Sequence, residues 1–529
     1  MKKILAFFII SFSSVLFAQN EQQGIELPDF VITGKQTINI PTAKKPKPEF
    51  IPTLSQAFFT PTYNPEELPL MISSDPVSII PSIQPYSDYY NFSLKVQAGR
   101  YSFPTGEFNI NQSLDSYLFN AKVWGSNIKD YVPNSGFNTS GVSMTHEFFI
   151  STRSGFLPGT VIKISGDYSR DSYRLFASQD PSFLRETNKG SGLLSISSRL
   201  NRWINYGAAV KGNILTAGEN NFKEVLLNPN AYFDFKWNNF MFGFKGDYER
   251  QSLTNNLGAD NSYNFYSGEG YIKLMPSDNF RFTAGASYSA SGNNSLLTPF
   301  GSVEFKLNDN LTLDAEFKPQ AKFYTVNDLL KKNIYYNFGV NDNIFEKYDN
   351  NITGMVRYEY DKYITFALSG GYQSIKNYLY FDDSANPGKF DLKTSSVAKV
   401  LFSKLDFYYY TSIYGFFIGE MTYKDTRNDS DNKIPYEPLL SSSLTYGYDF
   451  DFHLGLRASY HIAMNSYTDL ANTNKLEDYH NLSFALDYEL LTGLKLTADF
   501  QNILNRSNFV WRQYQEKPFD ILAGIEYRW

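Results

Sequence analysis

From Asn91 to Trp529 the chain alternates apolar and polar residues with a period of two, in segments of roughly ten residues bounded by turn formers. In one segment Phe280, Phe282, Ala284, Ala286 and Tyr288 share a face, opposite Arg281, Thr283, Gly285 and Ser287. In a second, Leu311, Leu313, Ala315 and Phe317 oppose Thr312, Asp314, Glu316 and Lys318. In a third, Leu494, Leu496, Ala498 and Phe500 oppose Lys495, Thr497, Asp499 and Gln501. Successive side chains of a strand point to opposite faces, so each segment predicts a strand with one apolar and one wet face.

A soluble sandwich alternates in the same way, and the spacing of the turns separates the two cases. Short turns are expected at Leu114-Asp115, Gly155–Gly159, Asn201-Arg202, Asn238-Asn239, Pro276–Asn279, Asn308–Asn310, Asp361-Lys362, Lys404–Asp406, Asp449–Asp451 and Leu491–Gly493. Longer polar stretches fall between them, among them Ala177–Lys189, Thr325–Tyr348, Thr422–Tyr436 and Asn505–Pro518. Short turns on one side and long loops on the other are the habit of outer-membrane barrels. Ten inner turns imply eleven outer loops and about 22 strands when both termini face the periplasm, one turn more or fewer giving 24 or 20. The expected fold is therefore all-β: a transmembrane, antiparallel, up-and-down β-barrel of the bacterial outer membrane. In lipid the sheet has to close, because an open edge would leave N–H and C=O groups without partners.

Composition narrows the reading. Aromatic residues make up 17% of the chain, with 40 Tyr and 46 Phe, while charged residues supply only 19%. Girdles of rings at the two bilayer interfaces account for such an excess. A mean hydropathy of -0.36 and the lack of a later apolar run near the 20 or so residues of a spanning helix exclude a helical membrane bundle. The net charge of -6 offers no basic footprint for nucleic acid. With no cysteine in the sequence, disulfides, thiolate metal sites and a lipid-modified N-terminal Cys are excluded.

The N-terminus reads as an export signal: Lys2 and Lys3, an apolar run from Ile4 to Phe17, then Ala18 before Gln19. Residues 1–18 are the expected signal peptide. Residues 19–90 form a second section, with ten of the 23 prolines between Pro41 and Pro85, spaced so that neither helix nor central strand persists. It is read as a periplasmic tail or as a segment lying in the lumen. Residues 91–529 are the barrel. The last strand sets Ile521, Ala523, Ile525, Tyr527 and Trp529 against Leu522, Gly524, Glu526 and Arg528. Its face of Ile525, Tyr527 and Trp529, ending on an aromatic residue, resembles the signal read by the barrel-assembly machinery.

Further stretches resemble TonB-dependent receptors. Asn502-Ile503-Leu504-Asn505-Arg506, followed by an aromatic-rich loop and the terminal strand, is similar to that family's usual ending. Ile434-Pro435-Tyr436-Glu437-Pro438 is similar to its late barrel. Leu27 to Gly34, with Asp29, Phe30, Val31, Ile32, Thr33 and Gly34 at its heart, looks like the segment with which many mature receptors pair with TonB. The resemblance implies a barrel for energised import and TonB as a partner. One departure stands out: the family places a large plug domain after that segment, and only Lys35 to Tyr90 is available here. A reduced plug, or one supplied by a separate chain or lipoprotein, is expected.

No enzymatic site is expected. His146, His453, His461 and His480 lie on separate segments without metal-ligand spacing. The acidic run of Asp425, Asp429 and Asp431 lacks the Gly and distal Glu of a calcium loop. No catalytic, metal or cofactor residue is assigned. Phe509, Trp511 and Tyr514 crowd the last outer loop and are the candidate ligand-stacking residues, with interfacial girdle positions as the alternative. The leading functional expectation is a transporter like the TonB-dependent receptors. A channel or a scaffold of a multiprotein assembly is the alternative, and an outer-membrane hydrolase a distant third.

Overall fold

The computed structural model describes residues 90–198, 203–256, 260–338, 345–361, 363–411 and 414–529. The expected signal peptide, the Pro-rich section and Asp29–Gly34 lie outside the described residues, as does the expected turn at Asn201-Arg202.

The first twelve strands are β1 (Phe92–Gly99), β2 (Ser102–Leu114), β3 (Tyr117–Ile128), β4 (Phe137–Phe149), β5 (Thr160–Arg174), β6 (Leu184–Ser198), β7 (Ile204–Ala217), β8 (Phe222–Trp237), β9 (Phe240–Thr254), β10 (Asp260–Ser277), β11 (Phe280–Ser291) and β12 (Asn294–Lys306). Strand β13 (Leu311–Phe317) resumes as Gln320–Phe323. There follow β14 (Phe345–Tyr360), β15 (Ile364–Asp382), β16 (Asp391–Thr411), β17 (Gly415–Asn428), β18 (Leu440–Asp449), β19 (Leu454–Met464), β20 (Tyr479–Leu491), β21 (Leu494–Gln501) and β22 (Asp520–Arg528). The break in β13 falls at Pro319, which has no N–H for the ladder. Asn351 stitches it by donating from Nδ2 to the Lys318 carbonyl at 3.1 Å.

Each strand pairs antiparallel with its sequence neighbours, and the ring closes between β1 and β22 in a register running from Ser93↔Arg528 to Gly99↔Leu522. Phe92 and Trp529 exchange both backbone hydrogen bonds at 3.0 Å, so the final residue is itself part of the seam. The chain is thus a 22-stranded antiparallel up-and-down barrel, as the turn count predicts.

The two faces of the wall are inverted relative to a soluble protein. On β11, Phe282 and Tyr288 are 40% and 49% exposed while Ser287 and Ser289 are each 6% exposed. Rings outside and hydroxyls inside are backwards for water and right for lipid. At the short-turn end Trp203, Trp237, Tyr360, Tyr414, Phe452 and Trp529 are all exposed, forming one aromatic belt.

Ten connections at that end are short, from Asp115-Ser116 to residues 150–159. The other end, here the outer end, carries the long loops, although Arg100-Tyr101 and Gly292-Asn293 are short there too. Strands rise into this end: β16 has 21 residues, about twice the 9–11 that cross a bilayer. Ala177–Lys189 and Thr422–Tyr436 therefore hold part loop and part strand.

One expected turn is displaced. Lys404–Asp406 lies inside β16, which runs on to Thr411 and pairs there with Gly415 at the start of β17. Lys404 and Asp406 are two apart, so both point into the lumen, where they pair at 3.3 Å. Two adjacent lumen charges imitate a polar turn in sequence, because both satisfy the same need for a wet or paired environment.

Candidate functional site

The lumen-facing ends of several strands carry buried polar groups aimed at one outer loop segment, residues 324–338. Its first part forms a short helix, α1 (Val326–Lys332), started by a reciprocal capping box between Thr325 and Asp328. Glu224 on β8, buried in the wall, accepts from the backbone N–H groups of Val326 at 2.8 Å and Asn327 at 3.0 Å. A carboxylate there satisfies two of the unpaired donors of the helix start and complements its dipole.

Beyond α1 the loop is held by Arg185 of β6, which is wholly buried. It donates to the carbonyls of Ile334 at 3.1 Å and Tyr336 at 2.8 Å, pairs with Glu219, and lies 4.4 Å from the centre of the Phe338 ring. Glu219, in the β7–β8 connection, also takes Lys389 at 3.1 Å. Tyr173 of β5 donates its hydroxyl to the Ile334 carbonyl at 2.6 Å. A buried charge pair is a weak source of net stability, but losing one partner strands the other. The network therefore fixes where the loop sits.

Rings from other loops complete the arrangement. Tyr335 stacks on Tyr514 with centroids 3.4 Å apart, Phe176 meets Tyr514 edge-on at 4.9 Å, and Trp511 packs on Phe390 at 5.0 Å and Tyr436 at 4.8 Å. The Tyr514 hydroxyl donates to the Gly388 carbonyl at 2.6 Å. Gly388 has a φ of +79°, and a Cβ there would lie 2.2 Å from the Ala177 carbonyl oxygen. Only glycine allows the two loop backbones to touch at that point.

Phe176 belongs to the β5–β6 loop, Tyr335 to β13–β14 and Tyr514 to β21–β22, so their roots stand eight, eight and six strands apart round the ring. A ring of 22 strands, spaced about 4.8 Å and tilted about 40°, is roughly 40 Å across. Loops rooted so far apart can meet only over the mouth. They form an aromatic cap with a hydrophobic interior that includes Leu329, Leu330, Tyr336, Phe390 and Tyr514.

Of the three candidate ligand residues, Tyr514 is buried in the cap, Trp511 is half-buried in it, and Phe509 faces a cavity beside it. Trp511 and Phe509 form a small hairpin with Tyr514 and Gln515. The cavity, of about 320 Å3, lies on the lumen side of β17–β20 and is bounded by Glu420, Tyr436, His461, Glu477, Tyr479 and Phe509 among others. A second, of about 380 Å3, meets it at His461 and reaches Arg457, Asp499 and Glu516. Surrounding protein pushes the Glu516 carboxyl above its ordinary range. These groove residues other than Phe509 were not legible as a site in sequence, being spread over seven elements.

The remaining candidates are separated. Ile525, Tyr527 and Trp529 share the outward face of β22, where Trp529 stacks on Phe92 at 5.4 Å and Tyr527 at 5.0 Å. His146 and His480 each bond a tyrosine hydroxyl, of Tyr117 and Tyr460. Asp425 and Asp431 both pair with Arg427. Among the described residues no cluster of three His, Asp or Glu is placed to hold a metal. The Asn502–Arg506 motif gains a physical explanation: Asn502 and Asn505 both adopt φ of +48°, which Asn tolerates. Asn502 donates from Nδ2 to the carbonyls of Arg506 at 3.0 Å and Lys517 at 3.1 Å, closing the base of the loop.

Wall, seam and cap together define an outer-membrane-type barrel with the architecture of TonB-dependent receptor barrels. No protein-family model matches the sequence, and no curated protein is similar to it. Solved structures do resemble it. The ferric-catecholate import receptor Fiu from E. coli K12, in its closed form, aligns over 84% of this chain and 82% of its own, with a TM-score of 0.63 and 10% identity. The siderophore receptor PiuA from Acinetobacter baumannii gives the same coverage, a TM-score of 0.64 and 11% identity. The FrpB iron transporter from Neisseria meningitidis also covers 84% and 82%, with a TM-score of 0.64 and 12% identity. At such identities the likeness is one of fold.

Proposed function

We propose that this chain is an outer-membrane transporter of the TonB-dependent-receptor kind, exported by its N-terminal signal, with its plug reduced or supplied by another chain. The observation that carries the reading is the convergence of loops from three sides of the ring over one mouth. A barrel this wide encloses an aqueous channel unless something occludes it. Loops that meet across the outer end can hold a solute there, which a mere scaffold does not require. The transporters and receptors of iron compounds that share the fold favour the same reading. Outward-facing Ile525, Tyr527 and Trp529 are the residues assigned to recognition by the barrel-assembly machinery.

Energy would enter through Asp29–Gly34. The β-prone run Phe30-Val31-Ile32-Thr33 is suited to add as a strand to a sheet edge of TonB, with main-chain hydrogen bonds carrying the affinity. Proline removes one such donor. Val31→Pro is expected to abolish binding of the purified protein to a TonB periplasmic domain, while heat-modifiable migration shows the barrel intact. If the wild-type chain binds no TonB of its host, the energised reading fails and a channel or assembly scaffold takes its place.

A further inference from the structure

The groove beside the cap has an unbalanced charge. Lys404 serves two carboxylates, Asp406 at 3.3 Å and Glu420 at 3.4 Å. Four cations around the groove have an acid of their own: Lys424 pairs with Glu437, Arg457 with Asp449, Lys475 with Asp478 and Lys517 with Asp520. Arg512, on the hairpin tip, lies within electrostatic reach of Asp383 and Tyr436. Glu477 and Glu516, which border the two cavities, have no ion-pair partner among the described residues. Both side chains are solvent-accessible, so a ligand entering the groove can reach them.

Two further features point to an absent ligand. Ser466 Oγ and Asn502 Oδ1, on groove-lining residues 8% and 2% exposed, have no hydrogen-bond partner in the protein. Buried polar atoms of this kind usually have one. Tyr436, a bulky residue, is held at φ of +59°, a conformation of about 1–3 kcal/mol strain that gathers at binding sites. Its ring, with those of Tyr479 and Phe509, gives the outer cavity an aromatic lining. Aromatic faces attract cations, and a cavity of about 320 Å3 is within the usual range for small-molecule sites.

We propose that this groove binds an organic cation, an amine carried on an apolar or ring-bearing body. Its ammonium lies between Glu477 and Glu516, and its body lies against Tyr436, Tyr479 and Phe509. The amine supplies the missing positive charge, and donors on the ligand satisfy Ser466 and Asn502. The inference rests on the reading of the chain as a barrel that holds solutes at its outer end, and it requires no energised step.

The test is calorimetric titration of the full-length, detergent-purified protein with three probes of similar size: phenethylamine, 2-phenylethanol and phenylacetate. The amine is expected to bind at least tenfold more tightly than the alcohol, and the acid more weakly still. Glu477→Gln and Glu516→Gln should each weaken the amine several-fold and leave the alcohol unchanged. Tyr479→Leu should weaken both, with heat-modifiable migration confirming that each variant is folded. Equal affinity for amine and alcohol, preference for the acid, or no heat of binding from any probe overturns the proposal. Amine binding by a chain with no affinity for TonB retires the transport reading and leaves this one standing.

Discussion

The wall and the cap are built on opposite rules. In the wall every strand repeats the same backbone ladder, the side chains facing lipid are interchangeable apolar groups, and no single residue is decisive. In the cap the backbone is irregular, and particular side chains carry the structure: Arg185 for three loops, Tyr514 for a ring stack and a carbonyl, Gly388 for one backbone crossing. The difference follows from solvent. Lipid forces the backbone to satisfy itself, whereas loops above the bilayer have water as a competitor and stay together only through specific packing.

The largest expected effect breaks the cap and spares the wall. Arg185→Ala removes both guanidinium contacts to the carbonyls of Ile334 and Tyr336 and leaves Glu219 with Lys389 alone, at a local cost of about 3 kcal/mol. Residues 324–338 should then become protease-sensitive and exchange their amide hydrogens, while heat-modifiable migration of the barrel stays unchanged. Loss of the folded barrel would mean that wall and cap are one cooperative unit. The converse substitution strikes the wall: Val210 lies mid-strand on β7, 47% exposed on the apolar face. Val210→Arg should cost about 2–4 kcal/mol near the bilayer midplane, read as a lower denaturant midpoint with the protease pattern of the cap retained. A change of about 0.5 kcal/mol or less would place Val210 outside the hydrocarbon layer.

The smallest effect concerns the loop of residues 465–478. The backbone N–H of Asn465 donates to Asp478 at 3.0 Å and Lys475 pairs with it, holding its carboxyl below the ordinary 3.8. A depressed folded value stabilises the loop above the unfolded pKa, and the contribution vanishes as pH falls through the folded value. The protection of this loop's amides, taken relative to the intrinsic exchange rate at each pH, should therefore fall selectively on going from about pH 6 to about pH 3, by about 0.5 kcal/mol or less. Asp478→Asn should remove that pH dependence. A loop equally protected at both pH values would show that Asp478 does not hold it.

The barrel was legible because its code is short-range. Period-two alternation, as in Phe280 to Tyr288, reports the environment of each face directly, and a turn residue such as Asn238, at φ of +50°, occupies a special backbone angle. The exception, Lys404–Asp406, shows the limit of that code: paired lumen charges and a polar turn look alike until the partner strand with Glu420 is in place.

The sequence alone thus determined the class of fold, the strand number and which residues meet lipid, since each depends on neighbours one or two positions away. Only the tertiary structure decided that Phe176, Tyr335 and Tyr514, more than 150 residues apart in sequence, meet over the mouth. Only it decided that Glu477 and Glu516 face one groove with Tyr479 and Phe509. Those contacts depend on the closure of the ring, which brings strand ends together by their order round a circle, a geometry that no local pattern encodes.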